Sequence, residues 1–266
     1  MTDLGYDRYR AALATESELL RAAVADADLS TRVPTCPDWT LADLLRHVGR
    51  AHRWAESLIV ARATEYVEDE RPASAGPDGS DPRAMDVWLA EGAAMLDTAL
   101  AEAGPATPVW TWGQEQSPAF WARRMTHETV IHRADAVSAT GTEYAVAPDV
   151  AADAVDEWLE IVSNPMAAHF NPKLAELRGT GQAIGLRATD TAPESAGHWT
   201  IELTPEGVRW DRTEGATEGA TEVTASGALT DLVLLFYRRL PRDTDRVRLT
   251  GDRALLDFWL DRASFE

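Results

Sequence analysis

The chain has 266 residues, 45% of them hydrophobic and 26% charged, which is the composition of a globular protein with room for one large domain or two ordinary ones. Its formal net charge of −19 repels nucleic-acid backbones and anionic membranes, so neither is an expected partner. A single cysteine, Cys36, cannot form an internal disulfide and is expected to be a buried structural thiol in a reducing, cytoplasmic setting. The acidic first residues do not read as a signal peptide, and no run is apolar enough to span a bilayer.

Tyr9, Ala12, Leu19, Leu20 and Val24 recur at helical spacing and predict a first helix over 6–27. Pro34 and Pro37 interrupt the chain. Thr40 and Asp43 then form a capping-box pattern that opens a second helix over 41–63. Its inward stripe is Leu44, Val48, Ala51, Ala55 and Leu58, and His47 points at that core or its edge. Such a histidine is either a hydrogen-bonded core residue or a metal ligand. Residues 64–82 read as a long loop, and Asp81-Pro82 caps a third helix over 82–103. Trp110 and Trp112 follow in a short connection and are assigned to the wall of a cofactor-binding pocket, with plain packing as the alternative. Ser117-Pro118 starts a fourth helix, over 119–139, closed by Gly141.

The fourth helix carries Glu128 and His132, four residues apart and therefore on one face. Four helices, each with an apolar stripe, predict a four-helix bundle, which presents ligands inward from facing helices. His47, Glu128 and His132 then make the donor set of an open divalent-metal site, with Zn²⁺ the first candidate. The zinc-protease motif H-E-x-x-H fails at Ile131, where it needs a second histidine, and repeated Glu-x-x-His elements of a di-metal bundle are absent. Asp135 is a candidate to orient His132; His127 and His52 are candidates for supporting or proton-shuttling roles, or ordinary surface or core histidines.

A fifth helix is expected over 148–163. Alternation with period two then marks strands over 185–190, 198–203 and 208–210, expected as an antiparallel meander. Residues 213–222 repeat Thr-Glu-Gly-Ala and read as a hairpin loop. A strand over 222–226, a buried helix over 228–240, a strand over 246–250 and a helix over 252–263 complete the chain. The expected class is a two-domain α+β protein: a bundle over 1–145 and a small α+β domain with an antiparallel sheet over 146–266. No stretch reads as a dimer seam, so a monomer is expected.

The block Pro34-Thr-Cys-Pro-Asp-Trp-Thr-Leu-Ala-Asp-Leu-Leu-Arg-His47, with Trp121 through Glu128-Thr-Val-Ile-His132-Arg-Ala-Asp135, resembles the mycothiol-dependent maleylpyruvate isomerase family. Ala225-Ser-Gly-Ala through Leu234-Leu-Phe and Leu249-Thr-Gly-Asp are similar to its C-terminal domain. The resemblance implies a DinB-like bundle with a sterol-carrier-like α+β domain, an actinobacterial source and mycothiol as cosubstrate. It also implies zinc, or another divalent metal, on His47, Glu128 and His132.

Three protein ligands leave open positions at which a thiol would be deprotonated, giving a nucleophile for cis–trans isomerisation or for S-transfer to a small electrophile. Arg238 and Arg239 are expected to act on a substrate carboxylate from a cleft between the domains, with a solvated helix terminus as the alternative. Two other readings remain at this stage: a non-catalytic protein binding a metal or small ligand, and a metal-assisted hydrolase.

Overall fold

The computed structural model describes residues 4–169, 171–191, 197–212 and 221–264. The chain divides at Tyr144/Ala145 into two compact units.

The first unit is built on α1 (Tyr6–Val24), α2 (Leu41–Ala61), α3 (Pro82–Ala103) and α4 (Pro118–Thr140). Local chemistry sets their starts. Thr40 accepts from the Asp43 backbone N–H while the Asp43 carboxylate accepts from the Thr40 N–H, the reciprocal capping box expected for α2. Those hydrogen bonds hold the Asp43 carboxyl down at about 2. Asp81 and Ser117 cap α3 and α4, each followed by Pro at the first helical position. Gly141, with φ of 71°, ends α4 in the left-handed region.

Helix α1 packs on α3 and α4, and α2 packs on the same two. The approach of α2 to α3 is close: a Cβ on Gly49 would stand 2.1 Å from the Trp88 ring. Arg53 lies beside this contact, its guanidinium 4.1 Å over Trp88 and donating to the Trp88 carbonyl at 2.7 Å. Helix α4 departs from the expected single stripe. It is buried on almost every side, with Thr126, His127, Thr129, Arg133 and Asp135 inside as well as its apolar residues. Its polar side chains therefore need internal partners. Thr126 donates to the Tyr9 carbonyl at 3.0 Å, and Arg133 Nε donates to Glu16 Oε2 at 2.6 Å.

Between α1 and α2 lies an element the sequence did not announce. Strands β1 (Arg32–Val33) and β2 (Cys36–Thr40) pair antiparallel as a short hairpin. The Leu41 N–H donates to Thr31 and the Ala42 N–H to Leu29, so the first turn of α2 anchors the hairpin's base. Cys36 is half-buried at the edge of the core rather than buried as expected. The loop over 64–82 also contains one turn of 3₁₀ helix, Pro72–Ser74.

The second unit comprises α5 (Pro148–Ser163), two 3₁₀ turns, β3 (Gln182–Ala188), β4 (His198–Thr204), β5 (Gly207–Arg212), β6 (Val223–Gly227), α6 (Leu229–Phe236), β7 (Val247–Gly251) and α7 (Arg253–Arg262). The sheet order is β5-β4-β3-β6-β7. The first three strands form the expected meander, but β6 joins β3 in parallel, Ile184 opposite Val223, before β7 returns antiparallel. Asp156 of α5 fastens that helix to the sheet, accepting from Trp199 Nε1 at 2.7 Å and Arg212 Nε at 2.8 Å. Burial nevertheless raises the Asp156 carboxyl above its usual range. Helix α6 stops at Phe236, short of the expected Leu240, because Arg238 takes a left-handed backbone with φ of 61°. Residues 213–220 of the expected repeat loop lie outside the described residues. No helix among the described residues is long and apolar enough to cross a membrane.

Candidate metal centre

His47 sits on the second turn of α2, and Glu128 and His132 sit in the middle of α4. Packing α2 against α4 brings all three together. One ligand atom from each lies within 4.8 Å of the others, and among the described residues this is the one such group. His47 Nε2 is 2.8 Å from Glu128 Oε1, and His132 Nε2 is 3.3 Å from the same oxygen. The two rings stand 4.7 Å apart in an edge-on arrangement.

This geometry fits a single divalent ion. Ligand atoms bound tetrahedrally at ~2.0–2.1 Å are ~3.3 Å apart, close to the separations present. The other nitrogen of His132 supplies an independent sign. Nδ1–H donates to Asp135 Oδ2 at 2.8 Å, leaving Nε2 to face the cluster. A carboxylate behind a ligating imidazole fixes the ring's tautomer and orientation. Asp135 is completely buried and is itself held by Thr35, whose hydroxyl donates to Oδ1 at 2.6 Å.

Charge is balanced inside the cluster. Burial alone would raise the Glu128 carboxyl; hydrogen bonds from His132 and His47, with the charges of His132 and Arg124, hold it well below the usual range. Burial works against a charged His132, but its bonds to Asp135 and Glu128 outweigh that and push it up to about 9.

The β1–β2 hairpin forms one wall. Its turn carries Thr35, and β2 carries Trp39, whose indole lies 4.9 Å from the His47 ring and 6.0 Å from His132. Arg124, one helical turn before Glu128, donates from Nη2 to Glu128 Oε2 at 3.0 Å. The His47 side chain is 40% exposed and that of His132 only 10%, so the cluster opens to solvent on the α2 side. Sequence reasoning missed Trp39, Thr35 and Arg124. The i, i+4 spacing of Arg124 and Glu128 was the one available signal among them.

The other expected site residues, Trp110, Trp112, Arg238 and Arg239, are carried by other segments. The Trp110 N–H donates to Ala63, just past the C-terminal end of α2, and its carbonyl accepts from Trp121 Nε1. That end of α2 is roughly 21 Å along the axis from His47. Trp110 packs edge-on against Trp54 and Tyr66, and Trp112 against Phe120, as part of the aromatic core there. Neither tryptophan lines the cluster. His127 is buried with its ring edge-on to Tyr9, and His52 is buried with Nε2 bonded to Thr129 Oγ1 at 2.8 Å. Burial depresses His52 to about 4, so it is neutral at physiological pH. Arg238 and Arg239 belong to the second unit, just beyond α6, where the Arg239 guanidinium donates to the Tyr237 carbonyl at 2.7 Å.

Comparison with known proteins agrees with this architecture. Residues 10–137 match the family model described as the mycothiol maleylpyruvate isomerase N-terminal domain, and residues 149–258 match the MDMPI C-terminal domain. No curated protein matches the sequence. A crystal structure of mycothiol-dependent maleylpyruvate isomerase is similar over 93% of this chain and 94% of its own, with a TM-score of 0.61 at 18% identity. A mutant of mycothiol-dependent maleylpyruvate isomerase is similar over the same shares, with a TM-score of 0.62 at 17% identity. At such identities the likeness establishes the fold, while the two family models, which between them span most of the sequence, establish kinship. The chain belongs to the mycothiol-dependent maleylpyruvate isomerase family.

Proposed function

We propose that this protein is a metal-dependent isomerase that uses a low-molecular-weight thiol, mycothiol, to convert maleylpyruvate or a closely related cis-unsaturated keto acid to its trans form. The observation that carries the reading is the convergence of His47 Nε2, His132 Nε2 and Glu128 Oε1, with Asp135 behind His132, in a chain of this family. The two imidazoles and one carboxylate favour zinc. When bound, the metal supplies an open position at which a thiol loses its proton at neutral pH.

The chain's own residues do the rest. His47, Glu128 and His132 would hold the ion, Asp135 keeps His132 in the tautomer that ligation needs, and Trp39 shields one side of the cluster from water. The exposed edge beside His47 admits the thiol and the substrate. The thiolate sulfur adds to the alkene carbon conjugated with the substrate carbonyl. A C–S bond forms and the alkene electron pair moves onto the carbonyl oxygen. Rotation about the resulting single bond follows. The electron pair then returns, the C–S bond breaks, and the trans alkene leaves with the thiolate regenerated.

The experiment is turnover of maleylpyruvate by zinc-loaded protein with and without mycothiol. Trans product is expected only with both, and the thiol is recovered unchanged. Stoichiometric loss of thiol would replace isomerisation by S-transfer, and failure of the purified protein to take up any divalent metal would remove the proposal.

The proposal extends to Arg238 and Arg239 as the cations that pair with the substrate carboxylate. Alanine at either position is then expected to raise KM about tenfold or more, the scale of a lost charge-assisted hydrogen bond. An unchanged KM in both variants removes them from the site.

A further inference from the structure

We infer that Arg124 is a positioning residue that makes Glu128 meet the metal through one oxygen only. The inference rests on the metal-site reading above. Arg124 and Glu128 stand one turn apart on α4, and their side chains are 9% and 20% exposed, so solvent screens the pair weakly. The two oxygens of Glu128 have separate tasks. Oε2 accepts from Arg124 Nη2 at 3.0 Å, while Oε1 faces His47 Nε2 at 2.8 Å and His132 Nε2 at 3.3 Å.

A carboxylate is able to bind a cation through one or both oxygens, so a neighbour that occupies one of them chooses between the two modes. With Oε2 engaged by the guanidinium, Oε1 alone is directed into the cluster. This has two consequences. A coordination position that a second oxygen would fill stays available to the thiol. The guanidinium also withdraws charge from the carboxylate, so the ligand donates less and the ion remains a stronger Lewis acid. Asp135 does the opposite for His132, adding electron density to the ring through Nδ1–H. The two partners thus fix two ligands and tune them in opposite senses. Arginine suits the task because its rigid, permanently charged head holds the carboxylate in a set direction.

The test compares wild type, R124M and R124K, each stripped and reloaded with Co²⁺ for visible absorption and with Zn²⁺ for competitive chelator titration. A monodentate Glu128 gives a four-coordinate cobalt site with one solvent or thiol position. In R124M, Glu128 is free to bind through both oxygens. The visible cobalt band is expected to weaken roughly two- to threefold as coordination rises to five. Zinc affinity is expected to rise about tenfold, because the carboxylate then donates more strongly, through two oxygens, and a neighbouring positive charge is gone. R124K, which keeps the charge and the stem, is expected to restore most of the band. R124Q serves the same comparison should the apolar head of R124M unfold the bundle. A purely structural role would lower the melting temperature and leave the cobalt spectrum unchanged. An unchanged spectrum together with an unchanged zinc affinity in the neutral variants overturns the inference while the metal reading stands. A wild-type protein that binds neither ion overturns both.

Discussion

His47→Ala is expected to lower kcat/KM by ~10³ or more, the several kcal/mol a catalytic metal contributes, while leaving the fold intact. The asymmetry of the cluster is the reason. The His47 side chain is 40% exposed, and its partner Glu128 keeps Arg124 and His132 when His47 is gone. Removing it leaves no buried charge unpaired, so the melting temperature should move by no more than about 2 °C, as for an ordinary surface change. His132→Ala should also abolish activity, but for mixed reasons. It strips Asp135, which is 0% exposed, of its imidazole partner, while the Thr35 hydroxyl still donates to that carboxylate's other oxygen. Breaking a buried pair from one side costs about 3–5 kcal/mol. His47 is therefore the position at which metal loss separates from unfolding. Metal analysis, thermal melts and turnover on both variants check this. Full activity and full metal content in His47→Ala would mean that this histidine is not a ligand.

The bundle was legible because its helices carry their own start signals. Thr40 with Asp43, Asp81-Pro82 and Ser117-Pro118 act locally, and the structure uses each of them. The pairing of Glu128 with His132 was legible for the same reason: spacing along one helix is a local property. What was not legible depends on contacts between distant segments. The β1–β2 hairpin has prolines at 34 and 37 and no alternation, and it is held by bonds from Leu41 and Ala42 back to Thr31 and Leu29. Trp39 and Thr35 reach the cluster only because that hairpin folds over it. A tryptophan pair carries no direction in sequence, so the spacing of Trp110 and Trp112 did not show that both are half-buried against the aromatic core near Ala63. Alternation marked the strands of the second unit but not their order. The parallel junction of β3 and β6 is fixed by long-range pairing of Ile184 with Val223. The internal place of several α4 polar residues was not legible, because a partner of each lies on another element: Glu16 for Arg133, Tyr9 for Thr126, His52 for Thr129.

The second large effect is in the pH dependence of metal-free protein, which is expected to lose up to about 3 kcal/mol of stability as pH rises from 6.5 to 9. His132 supplies it. Its folded pKa of about 9 lies above the 6.5 of a free imidazole, so the folded state holds this proton more tightly than the unfolded chain. That stability is fully present below 6.5, declines between the two values and is gone above 9. The other shifted groups near the cluster act on the acid side. Glu128 is depressed, so its contribution is present above its ordinary value of 4.5 and disappears on acidification. His52, at about 4, stabilises the fold above 6.5 and ceases to do so as pH falls toward 4.

A divalent metal held as proposed is expected to reverse the alkaline limb. Binding at His132 Nε2 requires the imidazole to give up the extra proton, so affinity gains up to about tenfold per pH unit below 9. The gap in stability between zinc-loaded and metal-free protein should accordingly widen from pH 6.5 to 9, the loaded form staying flat or rising while the stripped form declines. Denaturant titrations of both forms across that range measure the gap directly. Asp135→Asn removes a carboxylate that supports the charged ring, so it should flatten the decline of the stripped protein. A stripped wild-type protein whose stability is level or increasing between pH 6.5 and 9 would show that Asp135 and Glu128 do not hold a proton on His132. The competition between proton and metal at Nε2 would then have no basis.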